Sequence, residues 1–327
     1  MTGAPPVAKP CPTKEPGRGR RRLAGMPNLY RGARRLPLVV SLLLGWLALS
    51  ACAGAGSQPG ASASPAASPT VAPGSVGHST GADDVILRAE QAGGFTAPAF
   101  QITRVPEFTL YGDGTVLYQL PYDPDDASPI GPPRLAMARL DAEQMDALLV
   151  VAINAGGLGS AKAQYINPLV ADAPDTIFTI STDEVTKTVA AQALSMADDP
   201  NNPDATNPDA AAIKALKALY DTLVPFGEQV ARGNATDAGL YEPTTYRATL
   251  QEGQAQGEMI DWPWADLTLD AFVSNPDSSF RIATLTAEQA KALSPTPEGG
   301  LFDIAVVGPD RVPYQISLRP LLPEEAS

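Results

Sequence analysis

The side chains that most often carry out enzymatic chemistry are scarce in this sequence of 327 residues. It contains one histidine, His78, and two cysteines, Cys11 and Cys52. A Ser-His-Asp or Cys-His arrangement needs a histidine in the folded region, and His78 lies in a stretch of small residues that is not expected to form a core. Zinc and copper sites built from His or Cys are excluded for the same reason. We therefore predict no catalytic residue, no metal site and no cofactor.

Carboxylates are plentiful, and two acidic loops could supply oxygen ligands to calcium. The first loop contains Asp123, Asp125 and Asp126, and the second is DDPNNPDATNPD at 198–209. The second loop matches the first two ligand positions of a calcium-binding loop. It has proline at the third, no glycine at the sixth position and alanine in place of the closing glutamate. We interpret both loops as solvated turns, and the alternative is a weak cation site.

Two tryptophans, Trp262 and Trp264 in MIDWPWADL, are candidate ligand-binding residues. Pro263 pushes the residue before it toward extended geometry, so we expect the two indoles to face similar directions. They could stack on a sugar or hold a peptide. The alternative is that they are core anchors between subdomains, because large aromatic side chains dominate burial energetics.

The N-terminal region has the most specific pattern in the sequence. Seven arginines between 18 and 35 precede the apolar run LPLVVSLLLGWLALSA at Leu36–Ala51, and only Glu15 opposes their charge. The run has sixteen residues, whereas a helix needs about 20 apolar residues to cross a bilayer core. A basic segment, a short apolar run and small residues at its end are typical of a signal peptide. We predict that residues 1–51 are removed.

The residues at the end of this run, Leu49-Ser50-Ala51-Cys52, resemble the lipobox of bacterial lipoproteins. The resemblance implies that a diacylglyceryl group is attached to the Cys52 sulfur, that the preceding peptide is cut, and that a fatty acid such as palmitate is added to the new N-terminus. Cys52 would then anchor the protein in the cell membrane on its extracytoplasmic face. Two or three acyl chains suffice for stable anchoring, whereas one does not. The alternative is an ordinary signal peptide with a chance cysteine.

The region after Cys52 is rich in Ala, Gly, Ser and Pro as far as about residue 82, and we predict a flexible tether over 52–82. Residues 52–327 hold 14 of the 23 basic and 35 of the 36 acidic residues, so this part has a formal charge of about −21. Such a charge argues against nucleic acid and anionic lipid as ligands of the folded part. The remaining 240 or so residues suffice for one large or two small domains.

Alternation and turn residues predict strands mixed with helices, with hairpins prominent. Asp113-Gly114 supplies the turn of the clearest hairpin, over Glu107–Leu120. Asp141 and Gln144 form a predicted capping box for a helix that ends near Gly156. The other predicted elements are strands at Asp84–Gln91 and Arg134–Leu140, a hairpin at Thr176–Leu194, and a helix that Asn207-Pro208 opens.

An internal similarity links the two halves of the folded part. LDAEQMDAL at Leu140–Leu148 is matched by LTAEQAKAL at Leu285–Leu293, and each follows a predicted strand and precedes a predicted hairpin. Duplication of a strand-helix-hairpin unit would explain the match. The alternative is that these residues recur because they start any helix well.

We therefore predict an α+β fold of mostly antiparallel sheets and a few helices, with subdomains at 83–230 and 231–327. DVILRAEQAGGF and PEFTLYGDGTVLY resemble the N-terminal part of lipoproteins of high-GC bacteria that have no assigned chemistry. We expect a membrane-anchored, non-enzymatic domain that binds an unknown protein or polymer. The alternative is an Asp/Glu-dependent hydrolase acting on an envelope or extracellular polymer, which needs two converging carboxyl groups with one raised pKa.

Overall fold

The computed structural model describes nine ranges of the chain: 70–74, 76–96, 98–121, 134–168, 170–197, 207–253, 258–274, 279–293 and 304–326. Their strands form two sheets. The first sheet contains β1 Val85–Gly93, β2 Phe108–Tyr111, β3 Thr115–Gln119, β4 Leu135–Arg139, β5 Gln164–Tyr165, β6 Pro174–Ser181, β7 Thr186–Gln192 and β8 Thr236–Leu240. The second contains β9 Thr245–Glu252, β10 Ile260–Asp261, β11 Val273–Ser274, β12 Arg281–Thr286, β13 Ile304–Val307 and β14 Pro313–Pro320.

Most strand pairs are antiparallel, and the strand order is β5-β7-β6-β1-β2-β3-β4-β8 in the first sheet and β10-β13-β14-β9-β12-β11 in the second. The short strands β5 and β10 each pair in parallel at one edge. Six α-helices accompany the described strands: α1 Pro98–Thr103, α2 Ala142–Ile153, α3 Ala210–Leu223, α4 Phe226–Ala231, α5 Ala287–Ala292 and α6 Pro323–Ala326. The predicted α+β class is confirmed.

One face of the first sheet carries the largest core, against α2, α3 and α4. Alternate residues of β2 and β6, such as Phe108 and Phe178, point into this core and are fully buried. The ring of Phe226 lies 5.1 Å from the ring of Phe108, which fixes α4 against β2. On α2, Met145 and Leu149 face this core and are buried.

The second sheet has its own core on one face, against α5 and the two tryptophans. Leu250 on β9, Leu285 on β12 and Ile316 on β14 are buried in it. The alternate residues of β9 and β14, including Arg247 and Arg319, belong to the opposite face. That face meets the second face of the first sheet, and α6 lies between the two.

Both internally similar segments start helices in the same way. At α2, Asp141 accepts a hydrogen bond from the Gln144 amide, and the Gln144 side chain accepts one from the Asp141 amide. At α5, Thr286 and Gln289 form the same reciprocal pair. The capping box predicted at Asp141 is therefore confirmed.

The hairpins that follow these helices are ordered differently. In the first sheet the first hairpin strand, β6, pairs with the inner strand β1, and β7 lies outside it. In the second sheet the second hairpin strand, β14, pairs with the inner strand β9, and β13 lies outside it. The two halves share local order along the chain but not sheet topology, which favours recurrence of a good helix start over duplication of the unit.

The described chain is held against α2 from residue 71 and against the first sheet from residue 77, although we predicted a tether as far as 82. The amide of Val71 donates to Asn154 Oδ1 at 3.2 Å, and the amide of Val76 donates to Asp146 Oδ1 at 3.2 Å. Val76 is buried, and the Asp183 amide donates to the Gly77 carbonyl at 2.8 Å. Main-chain groups of this small-residue segment make these bonds, which composition alone does not predict.

The chain passes from the first sheet to the second between Leu240 and Thr245. Strand β8 therefore belongs to the first sheet, although it follows the subdomain boundary that we predicted at 230/231. It is an edge strand, and all five of its residues are exposed. Its pairing with β4 shifts register between Met137 and Ala138, and Asp237 Oδ1 accepts the Gly239 amide at 2.9 Å.

Candidate functional site

The two predicted tryptophans lie together on the core side of the second sheet. Their ring centroids are 4.9 Å apart and their planes meet at 83°, an edge-to-face contact. Phe272 adds a third ring, 5.9 Å from Trp262 and 6.3 Å from Trp264. The two indoles are thus on the same side of the chain, as expected, but they are perpendicular rather than aligned.

Both indole N–H groups are occupied by main-chain acceptors. Trp264 donates to the Gln289 carbonyl of α5 at 2.8 Å, and Trp262 donates to the Leu267 carbonyl at 2.7 Å. Trp264 is 6 % exposed, whereas Trp262 is partly buried. This arrangement favours the core-anchor interpretation over ligand binding, and the anchoring is within the second sheet's own core rather than between the sheets.

A carboxyl group that our sequence analysis did not single out lies between the first sheet and α3. Glu107 precedes β2, and its Oε1 accepts a hydrogen bond from the Tyr220 hydroxyl of α3 at 3.3 Å. That hydroxyl also accepts a bond from Gln91 Nε2 of β1 at 2.8 Å. The other carboxyl oxygen, Oε2, is buried and has no hydrogen-bond partner, and the same is true of Arg104 Nη1.

The surroundings of Glu107 favour its neutral form. Burial raises the pKa of Glu107 to about 7, and the charge of Glu90 adds to this effect. The Tyr220 hydroxyl and Arg104 act in the opposite direction but do not compensate for burial. Burial also raises the pKa of Glu90. The hydrolase hypothesis required a carboxyl group of this kind.

The geometry nevertheless closes Glu107 to a substrate. Its Oε2 atom, which is the one without a partner, has essentially no accessible surface. A general acid must come within hydrogen-bond reach of the atom that it protonates. Glu107 as arranged here can hold a proton inside the domain and bind α3 to the sheet. The sequence carries no local signal for this role, because it depends on Gln91 and Tyr220, 16 residues before and 113 residues after Glu107.

A second feature is a set of exposed apolar side chains at one end of the first sheet. Gly93 at the end of β1 pairs with Pro174 at the start of β6, and Gln192 at the end of β7 pairs with Asp175. Tyr165 of β5 pairs with Ala191. Residues that follow β1, β5 and β7 therefore lie at the same end of the sheet.

Four large apolar residues at this end are exposed, and we call them the apolar end: Phe95 (93 % exposed), Phe100 (43 %), Ile166 (63 %) and Met196 (38 %). The backbone beneath them is fixed, because the Phe95 amide donates to the Asp172 carbonyl at 3.0 Å. Gln101 Nε2 donates to the carbonyls of Gly94 and Thr96. Large apolar side chains exposed at one end of a sheet are candidates for an interaction site.

Residues 76–84 run along the opposite end of the sheet. Gly77 contacts the β6–β7 turn, and the Gly112 amide in the β2–β3 turn donates to the Asp84 carbonyl at 2.9 Å. Strand β1 has nine residues, so the two ends are about 30 Å apart at roughly 3.3 Å per residue. The apolar end and residues 76–84 therefore lie at opposite ends of the first sheet.

The remaining candidates contribute less. Cys52 and the calcium candidates Asp123, Asp125 and Asp126 lie outside the described residues, as does 198–206 of the second acidic loop. Asp209 is described, and it pairs with Lys162 at 2.7 Å. Within the described ranges no group of three or more His, Cys, Asp or Glu side chains is placed to hold a metal ion. No described helix is long and apolar enough to cross a membrane.

Comparison with known proteins gives no match for this chain among family models, curated proteins or solved structures.

Proposed function

We propose that this protein is a lipid-anchored, extracytoplasmic binding protein whose apolar end docks on another protein. The lipobox-like Leu49-Ser50-Ala51-Cys52 supports the anchor. The observation that carries the binding role is Phe95, which is 93 % exposed on a backbone held by Asp172. Burying such a ring is worth about 1.5–3 kcal/mol.

The partner's chemistry follows from charge and position. The formal charge of about −21 after residue 51 disfavours an anionic bilayer and a second copy of this chain as occupants of the apolar end. It favours a protein with an apolar patch bordered by basic side chains. The apolar end also lies at the opposite end of the first sheet from residues 76–84.

The anchor is tested by phase separation in detergent. The wild-type chain should partition into the detergent phase, and Cys52→Ala should move it to the aqueous phase because the acyl chains are lost. Mass spectrometry of the N-terminal peptide should find diacylglycerol and a fatty acid such as palmitate on Cys52. A Cys52→Ala variant that stays with the membrane would contradict the anchor.

The docking role is tested with a photo-cross-linking amino acid in place of Phe95 in the native envelope. A matched control carries it in place of Val273, which is 68 % exposed on the second sheet. We expect one discrete product at 95 and none at 273. The protein identified should then bind the purified wild-type chain and lose about tenfold or more in affinity for Phe95→Ser. Equal products at both positions would refute docking by the apolar end.

The Asp/Glu-dependent hydrolase remains a second candidate because one observation favours it, the pKa of about 7 for Glu107 beside a second carboxyl with a raised pKa, Glu90. It requires the Tyr220 contact to open and admit a polymer. Release of soluble fragments from purified envelope polysaccharide by the wild-type chain, but not by Glu107→Gln, would establish it. No release by the wild type would eliminate it.

A further inference from the structure

The helix α6 connects the two sheets through adjacent carboxylates. Glu324 serves the first sheet: its Oε2 accepts a hydrogen bond from the Tyr111 hydroxyl at 2.7 Å, and its Oε1 pairs with the Arg88 guanidinium. Arg88 lies on β1 and Tyr111 on β2. The first sheet thus holds α6 by one carboxylate.

Glu325 serves the second sheet in the same way. Arg319 of β14 binds it with both terminal nitrogens, Nη1 to Oε2 at 2.7 Å and Nη2 to Oε1. Arg247 of β9, the register partner of Arg319, lies 3.6 Å from Oε1. Burial would raise the pKa of Glu325, but these arginine contacts outweigh it and hold the pKa below its usual value.

These charges are well shielded from water. The side chains of Arg88 and Arg319 are 17 % and 7 % exposed. Leu322, just before α6, is 2 % exposed and packs with Tyr111 in a small apolar cluster between the sheets. Separating α6 from either sheet would leave a partly buried guanidinium without its counter-charge, which is strongly unfavourable.

The helix itself adds no stability of its own. It has four residues, far fewer than a helix needs to persist in isolation. In the described part of the chain, its contacts with the two sheets are those of Glu324, Glu325 and the leucines before it. Such segments open locally at a lower free energy than the sheets to which they bind.

We propose that α6 is a two-sided ionic latch that closes the junction between the sheets and opens as one unit while both sheets stay folded. Glu324 binds the first sheet and Glu325 binds the second. Because both carboxylates are on one short helix, the loss of either contact weakens the other. This inference does not depend on the proposed function.

The test is a crossed labelling experiment on the full chain with phenylglyoxal, which modifies accessible guanidinium groups. Glu325→Gln should raise the labelling rate of Arg88 about tenfold, and Glu324→Gln should raise that of Arg319 about tenfold, since hydrogen bonds to charged groups are worth at least that factor. Peptide mass spectrometry reads each site separately. The matched control is Glu228→Gln, whose ion pair with Arg232 on α4 is exposed, and it should leave Arg88 and Arg319 unchanged.

Two results would overturn the latch. If Glu325→Gln accelerates labelling only at Arg319 and Arg247, and Glu324→Gln only at Arg88, the contacts of Glu324 and Glu325 are independent ion pairs. If a Gln variant loses the near-ultraviolet circular dichroism of the folded chain, the labelling is repeated with the milder variants Glu324→Asp and Glu325→Asp. Global loss of structure in those milder variants as well would show that opening is not local.

Discussion

The Tyr220 hydroxyl of α3 donates a hydrogen bond to Glu107 Oε1 at 3.3 Å, and the other carboxyl oxygen, Oε2, is buried without a hydrogen-bond partner. The contact joins the longest described helix to the first sheet. Burial holds the pKa of Glu107 at about 7, compared with 4.5 in a model compound. The folded state therefore binds a proton there more tightly than the unfolded state does.

This shift predicts a pH dependence of stability. Between about pH 4.5 and 7 the unfolded chain has released the Glu107 proton, whereas the folded chain still holds it. The free energy of unfolding therefore falls as pH rises through this window, and the effect of Glu107 is constant above it. Glu107→Gln should remove this slope and raise the free energy of unfolding at pH 8 by about 3 kcal/mol. Urea unfolding at several pH values measures it. The exposed Glu258→Gln should change nothing, and a Glu107→Gln variant that is less stable at pH 8 would contradict the prediction.

The tryptophans should differ in their contributions to stability. Trp264→Ala removes a 6 % exposed side chain and its bond to α5, so we expect a loss of about 3–5 kcal/mol. Trp262→Ala should lose less, because Trp262 is only partly buried. Denaturant unfolding of residues 52–327, followed by the fluorescence of the one indole left in that part of the sequence, gives both values. Equal stability of Trp264→Ala and the wild type would mean that the core-anchor interpretation is wrong.

The two capping boxes provide a matched pair of tests. Asp141→Ala and Thr286→Ala each remove the side chain that accepts the third helical amide, and each should cost about 1 kcal/mol. Asp141→Asn and Thr286→Ser keep an acceptor and should cost less. Thermal unfolding of the four variants distinguishes these outcomes. Alanine variants no less stable than the conservative ones would show that these caps do not hold the helices.

The close approach of Gly112 to the arriving chain gives a further test. A Cβ at this position would lie 2.4 Å from the Ser79 carbonyl oxygen and 2.9 Å from the Gly81 amide nitrogen, all main-chain atoms. Gly112→Ala should displace residues 79–81 and cost about 1–3 kcal/mol. Limited proteolysis should then cut within 70–82. A Cβ at Gly227 would make only an ordinary contact at 3.5 Å, so the protease should cut Gly227→Ala no faster than the wild type.

Local patterns predicted most of the elements in the described part of the chain. Asp113-Gly114 turns the β2–β3 hairpin, and Asp141 with Gln144 starts α2, because turn and cap chemistry depends on residues only a few positions apart. The topology depends on long-range pairing, and the sequence does not specify it locally. The pairing of β1 with both β2 and β6, which sets the apolar end opposite residues 76–84, is of this kind.

The candidate sites illustrate the same limit. The spacing of Trp262 and Trp264 predicted their proximity, but Phe272 and the Gln289 carbonyl, which make them part of a core, come from separate elements. Glu107 could not be predicted as a group of raised pKa, because nothing in PEFTLY indicates that Tyr220 will cover it. Phe95 could have been noticed: it follows Gly93-Gly94 at the end of a predicted strand, where an aromatic side chain has little core available.

The bulged edge at β8 bears on how the protein behaves when crowded. A long, straight outer strand would offer its amides and carbonyls to a strand of a neighbouring molecule, and fibrillar aggregates begin in this way. The register shift beside Met137 and the local bond between Asp237 and Gly239 break that regular row. Molecules at high concentration can therefore touch along this side without joining into a shared sheet.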